Sequence, residues 1–386
     1  MATGTPVWRD IADAAVLAAL EPAAPAELDP TPDVLVVGGG MVGLATAAMC
    51  TRAGLGRVQL IERDGLAEAA SGRAAAMLSP EPHVWTDPPA FVELGRASFD
   101  LWRALDVEWS GALGVEPCGW LVALTDPIPA GVDLGSRVEV LDSDGAHAAE
   151  PELGEVAGGL LVKDQGRVHP LVAASAFAAR IGSVGSGVEM LSVETSGGRV
   201  TTVHTSHGNV QPRAVVFATG LAPTVDGLVI DEVIDQRWIK GHLLATAPAP
   251  FRLRASLAAM SGLVVQLPTG ELIAGGTLDE GDDEPVVRDA VIKEIRDGLV
   301  ALLPRAAALE VAHAWCCFRP ATADQQPVID RVPGLENAWV TCGHFRTGIL
   351  MAPATGVAIA RWIATGTPPP NVEAFNLARF ATTGTG

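Results

Sequence analysis

The sequence predicts an α/β protein in which an antiparallel sheet is inserted into a unit built on parallel strands. Three observations predict this arrangement. Between residues 34 and 61 a buried-strand run, a glycine-rich turn, a helical pattern and a second buried strand follow one another. Strand-like runs ending in glycine return far along the chain, at 214–220 and 338–343. Between them, the runs 262–267 and 270–274 are joined by a Pro-Thr-Gly turn, which is typical of antiparallel strands.

The composition indicates a large, acidic, globular protein. The 386 residues are 48% hydrophobic, which is sufficient to form a sizeable core. The formal net charge of −19 argues against binding to nucleic acid or anionic membranes, because phosphate recognition needs clustered cations. The five cysteines form no CxxC pair, and HExxH is absent, so we expect neither a disulfide framework nor a metal site.

We also expect a cytoplasmic protein without a membrane span. No apolar run reaches the roughly 18 residues that a transmembrane helix needs, and the first thirty residues lack a basic segment followed by an apolar core. Residues 1–30 are expected to form an N-terminal extension. Apolar residues at helical spacing between Trp8 and Leu20 predict a short helix that docks on the main body, and Glu21–Pro25 follows as a stiff linker.

The strongest local motif is the G-x-G-x-x-G turn between the two N-terminal strands. Gly38 allows a tight turn, Gly40 allows the backbone to approach a pyrophosphate, and Gly43 allows the helix to pack on the strand. The helix that starts at Met41 offers free N–H groups and a positive dipole end to phosphates. Glu62, at the end of the second strand, is placed to accept hydrogen bonds from a ribose. These features predict a Rossmann-like dinucleotide site, with a glycine-rich turn in an unrelated α/β protein as the alternative.

The later segments favour FAD over a nicotinamide cofactor. A nicotinamide dehydrogenase would continue with alternating strands and helices, whereas here a segment of small residues, 71–78, follows. Flavoproteins that hold extended FAD use separated pieces of this kind: a first glycine loop, a later Ala-Thr-Gly turn such as the one ending at Gly220, and a C-terminal strand-to-helix turn such as the one at Gly343.

Two C-terminal segments carry a family resemblance. Residues 343–356 (Gly-His-Phe-Arg-Thr-Gly-Ile-Leu-Met-Ala-Pro-Ala-Thr-Gly) and 318–329 resemble glycine oxidases of the FAD-dependent D-amino-acid oxidase superfamily. That superfamily also contains sarcosine oxidases and D-amino-acid dehydrogenases. Residues 240–242 and 275–277 resemble segments of its substrate domain, and the resemblance extends in order from about residue 31 to residue 365.

The resemblance and the motif order imply a two-domain architecture. We expect a Rossmann-like FAD-binding domain, formed by residues 31–90, 155–225 and 315–386, and an inserted antiparallel-sheet substrate domain, formed by 91–154 and 226–314. FAD is the implied cofactor. The implied partners are a small-molecule amine or amino acid and oxygen or another electron acceptor, and a homo-oligomer is possible.

The implied reaction oxidises the C–N bond of a small amino acid or N-substituted amino acid by hydride transfer to flavin N5, giving an imine that hydrolyses to an oxo acid. Such a substrate is oriented best by a bidentate Arg–carboxylate fork. By resemblance Arg319 is that fork and Arg346 lies close to the same carboxylate, with a structural ion pair as the alternative for each. No histidine is assigned as a base, since the amine reacts in its neutral form.

The resemblance assigns the other contacts as well. Met77 is expected at the flavin and the backbone of Met190 beside the adenine, with ordinary core packing as the alternative for both. Residues 348–352 would run along the ring, with Pro353 in the first turn of the last helix. The expected catalytic or substrate-contacting residues are Arg319, Arg346, Leu263 and Met77. The expected cofactor contacts are Gly38, Gly40, Met41, Val42, Gly43, Glu62, Arg63, Ser71, Ala75, Ala76, Met77, Met190, Thr219, Gly220, Arg319, Gly343, His344, Arg346, Thr347, Gly348, Ile349 and Leu350.

Two departures from the glycine oxidase pattern bear on chemistry. Leu263 occupies the position of a tyrosine beside the substrate carboxylate, and the chain contains no tyrosine. This favours a larger or more apolar amine over glycine. Cys317 falls where monomeric sarcosine oxidases attach flavin covalently, but the Arg-Pro that follows it matches glycine oxidase and favours a buried free thiol.

Three other functions stay open at this point. A D-amino-acid dehydrogenase would share every motif and use a quinone or protein acceptor. A flavin monooxygenase would begin in the same way but usually has a later Gly-Asp motif, which we do not find. A flavin-bound subunit without catalytic activity would keep the glycine turn and react with no amino acid.

Overall fold

The computed structural model describes residues 3–23, 25, 27–126, 134, 136–230, 234–259 and 262–380. Parts of the predicted extension (1, 2, 24 and 26), of the substrate domain (127–133, 135, 231–233, 260 and 261) and of the C-terminal segment (381–386) lie outside these ranges. In the described ranges the helices are α1 Trp8–Ile11, α2 Ala14–Leu20, α3 Met41–Arg52, α4 Pro89–Glu108, α5 Ser143–Ala149, α6 Pro170–Ala178, α7 Asp289–Leu302 and α8 Gly348–Thr365. The strands are β1 Val34–Val37, β2 Val58–Glu62, β3 Met77–Leu78, β4 Glu116–Leu124, β5 Glu139–Asp142, β6 Gly158–Arg167, β7 Ser183–Ser186, β8 Met190–Ser196, β9 Arg199–Thr205, β10 Gly208–Val210, β11 Ala214–Gly220, β12 Thr224–Val225, β13 Leu228–Val229, β14 Gln236–Thr246, β15 Ala255–Ala259, β16 Gly262–Gln266, β17 Leu272–Gly275, β18 Val311–Thr322, β19 Val328–Arg331 and β20 Ala338–Cys342.

The first sheet has six strands in the order β19-β20-β11-β1-β2-β7. All neighbours are parallel except the antiparallel edge pair β19–β20. Every residue of β1 is buried, as expected for a central parallel strand that is covered on both faces. Strands β1, β2, β11 and β20 form where the apolar runs predict them. The parallel pairing of β1 with both β2 and β11 brings the glycine turn and the Ala-Thr-Gly turn to the same edge.

The second sheet has nine strands in the order β18-β14-β17-β16-β15-β4-β6-β3, with β5 added on β6. Its neighbours are antiparallel except for the parallel pair β4–β15. The long pairing of β14 with β18 places Gly241 opposite Cys317 and Ile239 opposite Arg319. One face of this sheet packs on α7 through a core that includes Leu257, and the other face shares a core with the first sheet through residues such as Val265. The predicted mixed α/β class, with an inserted and largely antiparallel sheet, is confirmed.

Some strands from segments assigned to the FAD-binding domain pair in the nine-stranded sheet instead. Strands β3 and β6 lie in segments assigned to the FAD-binding domain, yet both pair within the nine-stranded sheet. Strand β18 begins at Val311, before the expected boundary at 315, because it stays paired with β14 along its whole length. The domain boundaries themselves stay a prediction.

The last helix begins earlier than predicted. We expected Pro353 to lie in the first turn of this helix, after residues 348–352, but the helix starts at Gly348 and Pro353 is inside it. A proline inside a helix leaves the carbonyl four residues earlier without its usual donor. Trp102 of α4 supplies a replacement, because its Nε1 donates to the carbonyl of Ile349 at 3.1 Å. The interior proline is therefore tolerated through packing against α4.

Helix α8 is also the most apolar long helix in the described part of the chain. Its 18 residues have a mean hydropathy of 1.3 and could cross a membrane by length and composition, although the sequence showed no single apolar run of that size. Two thirds of the helix (67%) is buried inside the protein, against α3 and α4. Its hydropathy is that of a core helix that packs on α3 and α4.

The N-terminal extension forms two short helices rather than the one predicted between Trp8 and Leu20. Helices α1 and α2 are separated at Ala12, whose backbone is extended (φ −81°, ψ 143°). Both helices dock on the body of the protein, with contacts to α6.

Candidate active site

A cavity of about 1060 Å³ is lined by residues of both sheets. This volume is slightly above the roughly 300–1,000 Å³ usual for small-molecule sites, and it suits a ligand as long as a dinucleotide. Two of the expected cofactor residues, Gly43 and Gly343, do not line it. The expected residues that do line it are Gly38, Gly40, Met41, Val42, Glu62, Arg63, Ser71, Ala75, Ala76, Met77, Met190, Thr219, Gly220, Leu263, Arg319, His344, Arg346, Thr347, Gly348, Ile349 and Leu350.

The three glycines of the N-terminal turn are required for different reasons. Gly38 has φ +116°, and a Cβ there would collide with the carbonyl of Ala218 on β11. A Cβ on Gly43 would collide with the carbonyl of Gly38. A Cβ on Gly40 would meet only Ser71 Oγ, at 3.4 Å, which is ordinary contact. The fold itself therefore needs Gly38 and Gly43, whereas Gly40 keeps space free in the cavity.

Glu62 is held in place by backbone amides at the end of β2. Its Oε2 accepts from the amide of Gly39 at 2.6 Å, and its Oε1 accepts from Asp64 at 3.0 Å. A carboxylate has about four acceptor positions, so Glu62 keeps capacity for the hydroxyls of a ribose in the cavity. Ser71, an expected cofactor contact, lines the cavity, and its Oγ also accepts from the amide of Met41 at 2.9 Å and so caps α3.

The later glycine turns join the edges of two strands beside the cavity. The amide of Gly343 donates to the carbonyl of Gly220 at 2.8 Å. Both residues have positive φ, +66° and +87°, and a Cβ on Gly343 would approach Thr322 Cγ2 to 2.5 Å. A separate contact lies at the end of β2, where the amide of Val188 donates to the carbonyl of Glu62 at 2.8 Å. This bond brings residues 188–190, including Met190, to the cavity.

Arg319 presents a guanidinium without an anionic partner. Its Nη1 donates to the carbonyl of Thr277 at 2.8 Å, and it forms no ion pair with any residue that the structure describes. Burial, with the nearby charge of Arg346, lowers the pKa of Arg319 below its usual range, but an arginine in this environment stays protonated. The alternative explanation for Arg319, a structural ion pair, is therefore not supported by any residue that the structure describes.

Arg346 lies at the mouth of the same cavity. It is exposed, and its guanidinium carbon lies 5.3 Å from the centre of the Phe345 ring. Arg319 and Arg346 lie close together, and neither forms an ion pair with a carboxylate of the described residues, so this end of the cavity favours the binding of an anion.

A network that the sequence did not reveal positions Arg319. A Cβ on Gly241 would collide with the Arg319 guanidinium and with the carbonyl of Thr277, so only glycine leaves room there. Thr277 Oγ1 accepts from the amide of His242 at 2.8 Å and donates to Asp279 Oδ2 at 2.9 Å. The same carboxylate oxygen lies 2.7 Å from His242 Nδ1. These bonds fix the carbonyl that orients Arg319.

The wall of the cavity formed by the nine-stranded sheet is largely apolar near Leu263. Ala258 lies opposite Leu263 in the sheet register, and Leu243 and Trp120 line the same cavity. Trp238 lies at the rim of the cavity and is 42% exposed. Its ring packs beside Gly220, where an added Cβ would lie 3.4 Å from it. The sequence did not identify either tryptophan, because their place depends on strand register.

Three further side chains have properties that bear on chemistry. Met77 is half-buried on β3 and lines the cavity. Cys317 is 5% exposed, and burial raises the pKa of its thiol, so it is a weak nucleophile. Burial lowers the pKa of His344 to about 4, so it is neutral at pH 7, with Nε2 3.2 Å from Thr355 Oγ1.

Comparisons with known proteins identify the family. The sequence model of the family described as "FAD dependent oxidoreductase" (DAO) matches residues 33–362. A glycine oxidase of Bacillus licheniformis is 28% identical over 90% of this chain and 97% of its own length. The bifunctional protein ThiO/ThiG of Synechocystis sp. is 31% identical over 92% of this chain, which spans only 55% of that relative's length.

Solved structures agree with this result. The crystal structure of glycine oxidase from Geobacillus kaustophilus superposes with a TM-score of 0.81 at 25% identity, covering 91% of this chain and 99% of that one. L-proline dehydrogenase from P. horikoshii superposes with a TM-score of 0.82 at 20% identity, covering 92% and 99%, and shares the fold. The resemblance seen in the C-terminal segments is confirmed. This chain belongs to the DAO family of FAD-dependent oxidoreductases and is of the glycine oxidase type.

Proposed function

We propose that the protein binds FAD in this cavity and oxidises the C–N bond of a small amino acid or N-substituted amino acid. The observation on which the proposal rests is the guanidinium of Arg319, which forms no ion pair with a described residue and lies in a cavity that also contains the glycine turn at Gly40. The donor set fits FAD: open space at Gly40, the N-terminus of α3, and a fixed Glu62 carboxylate. When bound, the flavin supplies the hydride acceptor for the substrate Cα.

The protein contributes binding and orientation. Arg319 holds the substrate carboxylate through its planar fork, while Thr277 and Gly241 fix the direction of that fork. Arg346 adds a second positive charge at the mouth of the cavity. No side chain is needed to remove a proton from Cα, and the neutral, buried His344 is consistent with a structural role.

The substrate we propose is larger or more apolar than glycine. Relatives named glycine oxidase support an amino acid substrate. The wall of the cavity is apolar at Leu263, Ala258 and Trp120. Because the chain contains no tyrosine, no tyrosine hydroxyl is present there to favour a small polar ligand. Burial of an apolar side chain against this wall would add affinity at about 25 cal/mol per Å².

An anaerobic screen of amino acids and N-methyl amino acids tests the proposal. We expect the purified protein to be yellow, to release FAD, and to lose its flavin absorbance band with at least one substrate that carries an apolar side chain. Oxygen uptake during turnover would then separate an oxidase from a dehydrogenase that uses a quinone or protein acceptor. A colourless protein with bound NAD would contradict the proposal, and so would a flavin that no amino acid reduces.

Changing Gly241 to alanine is expected to impair substrate binding and to leave the flavin in place. The added methyl group would displace the guanidinium of Arg319 and strain the Thr277 carbonyl. We expect the KM for the amino acid to rise and kcat/KM to fall about tenfold, since a charge-assisted hydrogen bond contributes roughly 1.5–3 kcal/mol. The Gly281→Ala variant is the control: a Cβ there meets nothing within 4 Å, so the variant adds only the backbone strain of its positive φ (+81°). Equal kinetics for the two variants would show that Gly241 does not position Arg319.

We expect FAD to be bound without a covalent bond to Cys317. Because its thiol is buried and its pKa is raised, covalent attachment is disfavoured. Denaturation of the purified protein should therefore release free FAD and give a colourless precipitate. A yellow precipitate that becomes colourless in the Cys317→Ser variant would place the protein with the covalent flavoenzymes.

A further inference from the structure

The N-terminal segment lies outside the family match, yet it packs on the loop that lines the cavity. The match begins at residue 33, so the described segment 3–23 precedes it. Residues 65–76, here called the cofactor loop, follow β2, and most of them line the cavity. Leu20 links the two, because its carbonyl accepts from the amide of Leu66 at 2.8 Å.

Trp8 fastens the cofactor loop from the N-terminal side. It is 2% exposed, and its Nε1 donates to the carbonyl of Ala74 at 2.8 Å. Trp315 of β18 does the same for the preceding residue, with Nε1 2.9 Å from the carbonyl of Arg73. Two consecutive carbonyls are therefore held by two indole N–H groups, one from the extension and one from the nine-stranded sheet.

A second attachment lies at Gly4. Its carbonyl accepts from Arg73 Nη1 at 3.0 Å, while the carbonyl of Thr3 accepts from the amide of Cys316 at 2.8 Å. Gly4 has φ +69°, and a Cβ there would collide with the carbonyl of Ala314. The start of the segment therefore lies tightly between β18 and the cofactor loop.

The position of this loop determines the shape of the cofactor site. Ser71 caps α3 at Met41, the helix whose N-terminus faces the cavity. Ala76 has φ +59°, a backbone conformation that non-glycine residues rarely adopt without support. Apart from the short 3₁₀ turn at Ser71–Arg73 the loop has no regular structure, so ordering it costs conformational entropy unless other groups hold it.

We propose that the N-terminal extension is a clamp that preorganises the cofactor loop for FAD, with Trp8 as its main positioning residue. The inference rests on the proposed function, since it takes FAD as the occupant of the cavity. A loop that is already ordered before binding loses less entropy when the cofactor arrives, so the clamp raises cofactor affinity without contacting the cofactor.

Titration of apoprotein with FAD, followed by flavin fluorescence, tests the clamp in the full-length chain. The Trp8→Phe variant keeps an aromatic ring, although a smaller one, and removes the N–H donor, while Gly4→Ala displaces the start of the segment. We expect the Kd for FAD to rise about three- to tenfold in Trp8→Phe and by at least that much in Gly4→Ala. Trp362→Phe is the matched control: its Nε1 has no hydrogen-bond partner in the described chain, and it does not line the cavity. Gly111→Ala is the control for positive φ, with nothing within 4 Å of its Cβ.

The outcomes separate three cases. A wild-type protein that binds no FAD contradicts the proposed function, whatever the variants do. If the wild type binds FAD and Trp8→Phe keeps the same Kd, the clamp is refuted, and a lower melting temperature of the apoprotein would show that the segment only stabilises the fold. If Gly4→Ala does not fold, Trp8→Phe alone decides between these results. A raised Kd with an unchanged melting temperature of the apoprotein is the result that the clamp predicts.

Discussion

Replacing Arg319 with leucine is expected to lower kcat/KM for an amino acid at least about tenfold while FAD stays bound. Arg319 is half-buried, forms no ion pair in the described chain, and keeps N–H donors beyond the one given to Thr277. A charge-assisted bond to the substrate carboxylate contributes roughly 1.5–3 kcal/mol, and misorientation of the substrate adds to the loss. Steady-state kinetics together with the flavin content of the purified variant provide the measurement.

The Arg319→Lys variant separates charge from geometry. Lysine supplies a point charge but not the planar fork, so we expect little recovery of kcat/KM. Since Gly241 leaves space shaped for the guanidinium, an ammonium group would not fill the same position. Full activity in Arg319→Leu would mean that the substrate carboxylate binds elsewhere.

Replacing Gly40 with valine is expected to weaken FAD binding about 10- to 100-fold without unfolding the protein. The backbone of Gly40 is extended (φ −72°, ψ 172°), a conformation that valine adopts readily. A Cβ there meets only Ser71 Oγ at 3.4 Å, so the conflict arises with a ligand that approaches the backbone. The loss of one or two charge-assisted bonds to the pyrophosphate corresponds to that range. The Kd of apoprotein for FAD and the melting temperature of the apoprotein are the two quantities to measure.

Two glycines that flank α3, Gly38 before it and Gly54 after it, serve as comparisons. Gly38→Ala should destabilise the fold itself, because its Cβ would collide with the carbonyl of Ala218. Gly54→Ala, at the far end of α3, meets nothing within 4 Å and should leave the Kd unchanged. If Gly40→Val binds FAD as tightly as the wild type, the pyrophosphate does not lie against this turn.

The N-terminal strand–turn–helix unit could be predicted residue by residue, because local sequence determines it. Buried parallel strands give uninterrupted apolar runs, and the turn between them tolerates only glycine at Gly38 and Gly43. The arginines of the site came from the family resemblance instead. The structure adds the physical reason that supports Arg319: its guanidinium donates to the Thr277 carbonyl and pairs with no acidic residue in the described part of the chain.

The parts that could not be predicted depend on pairing between distant strands. The space for Arg319 comes from Gly241, which becomes its neighbour only through the register of β14 with β18. Trp120 reaches the cavity through the pairing of β4 with β15. The early start of α8 depends on Trp102, an indole 247 positions away from the carbonyl that it satisfies. None of these relations leaves a local pattern in the sequence.

Anaerobic reduction of the bound flavin by an apolar amino acid and by its decarboxylated analogue tests the central claim most directly. The account predicts that the amino acid reduces the wild-type flavin quickly and the analogue reduces it slowly. It also predicts that Arg319→Leu slows the amino acid at least about tenfold and leaves the analogue nearly unaffected, because only the carboxylate contacts the guanidinium. Equal rates for the two compounds in the wild type, or an undiminished rate for the amino acid in Arg319→Leu, would contradict it.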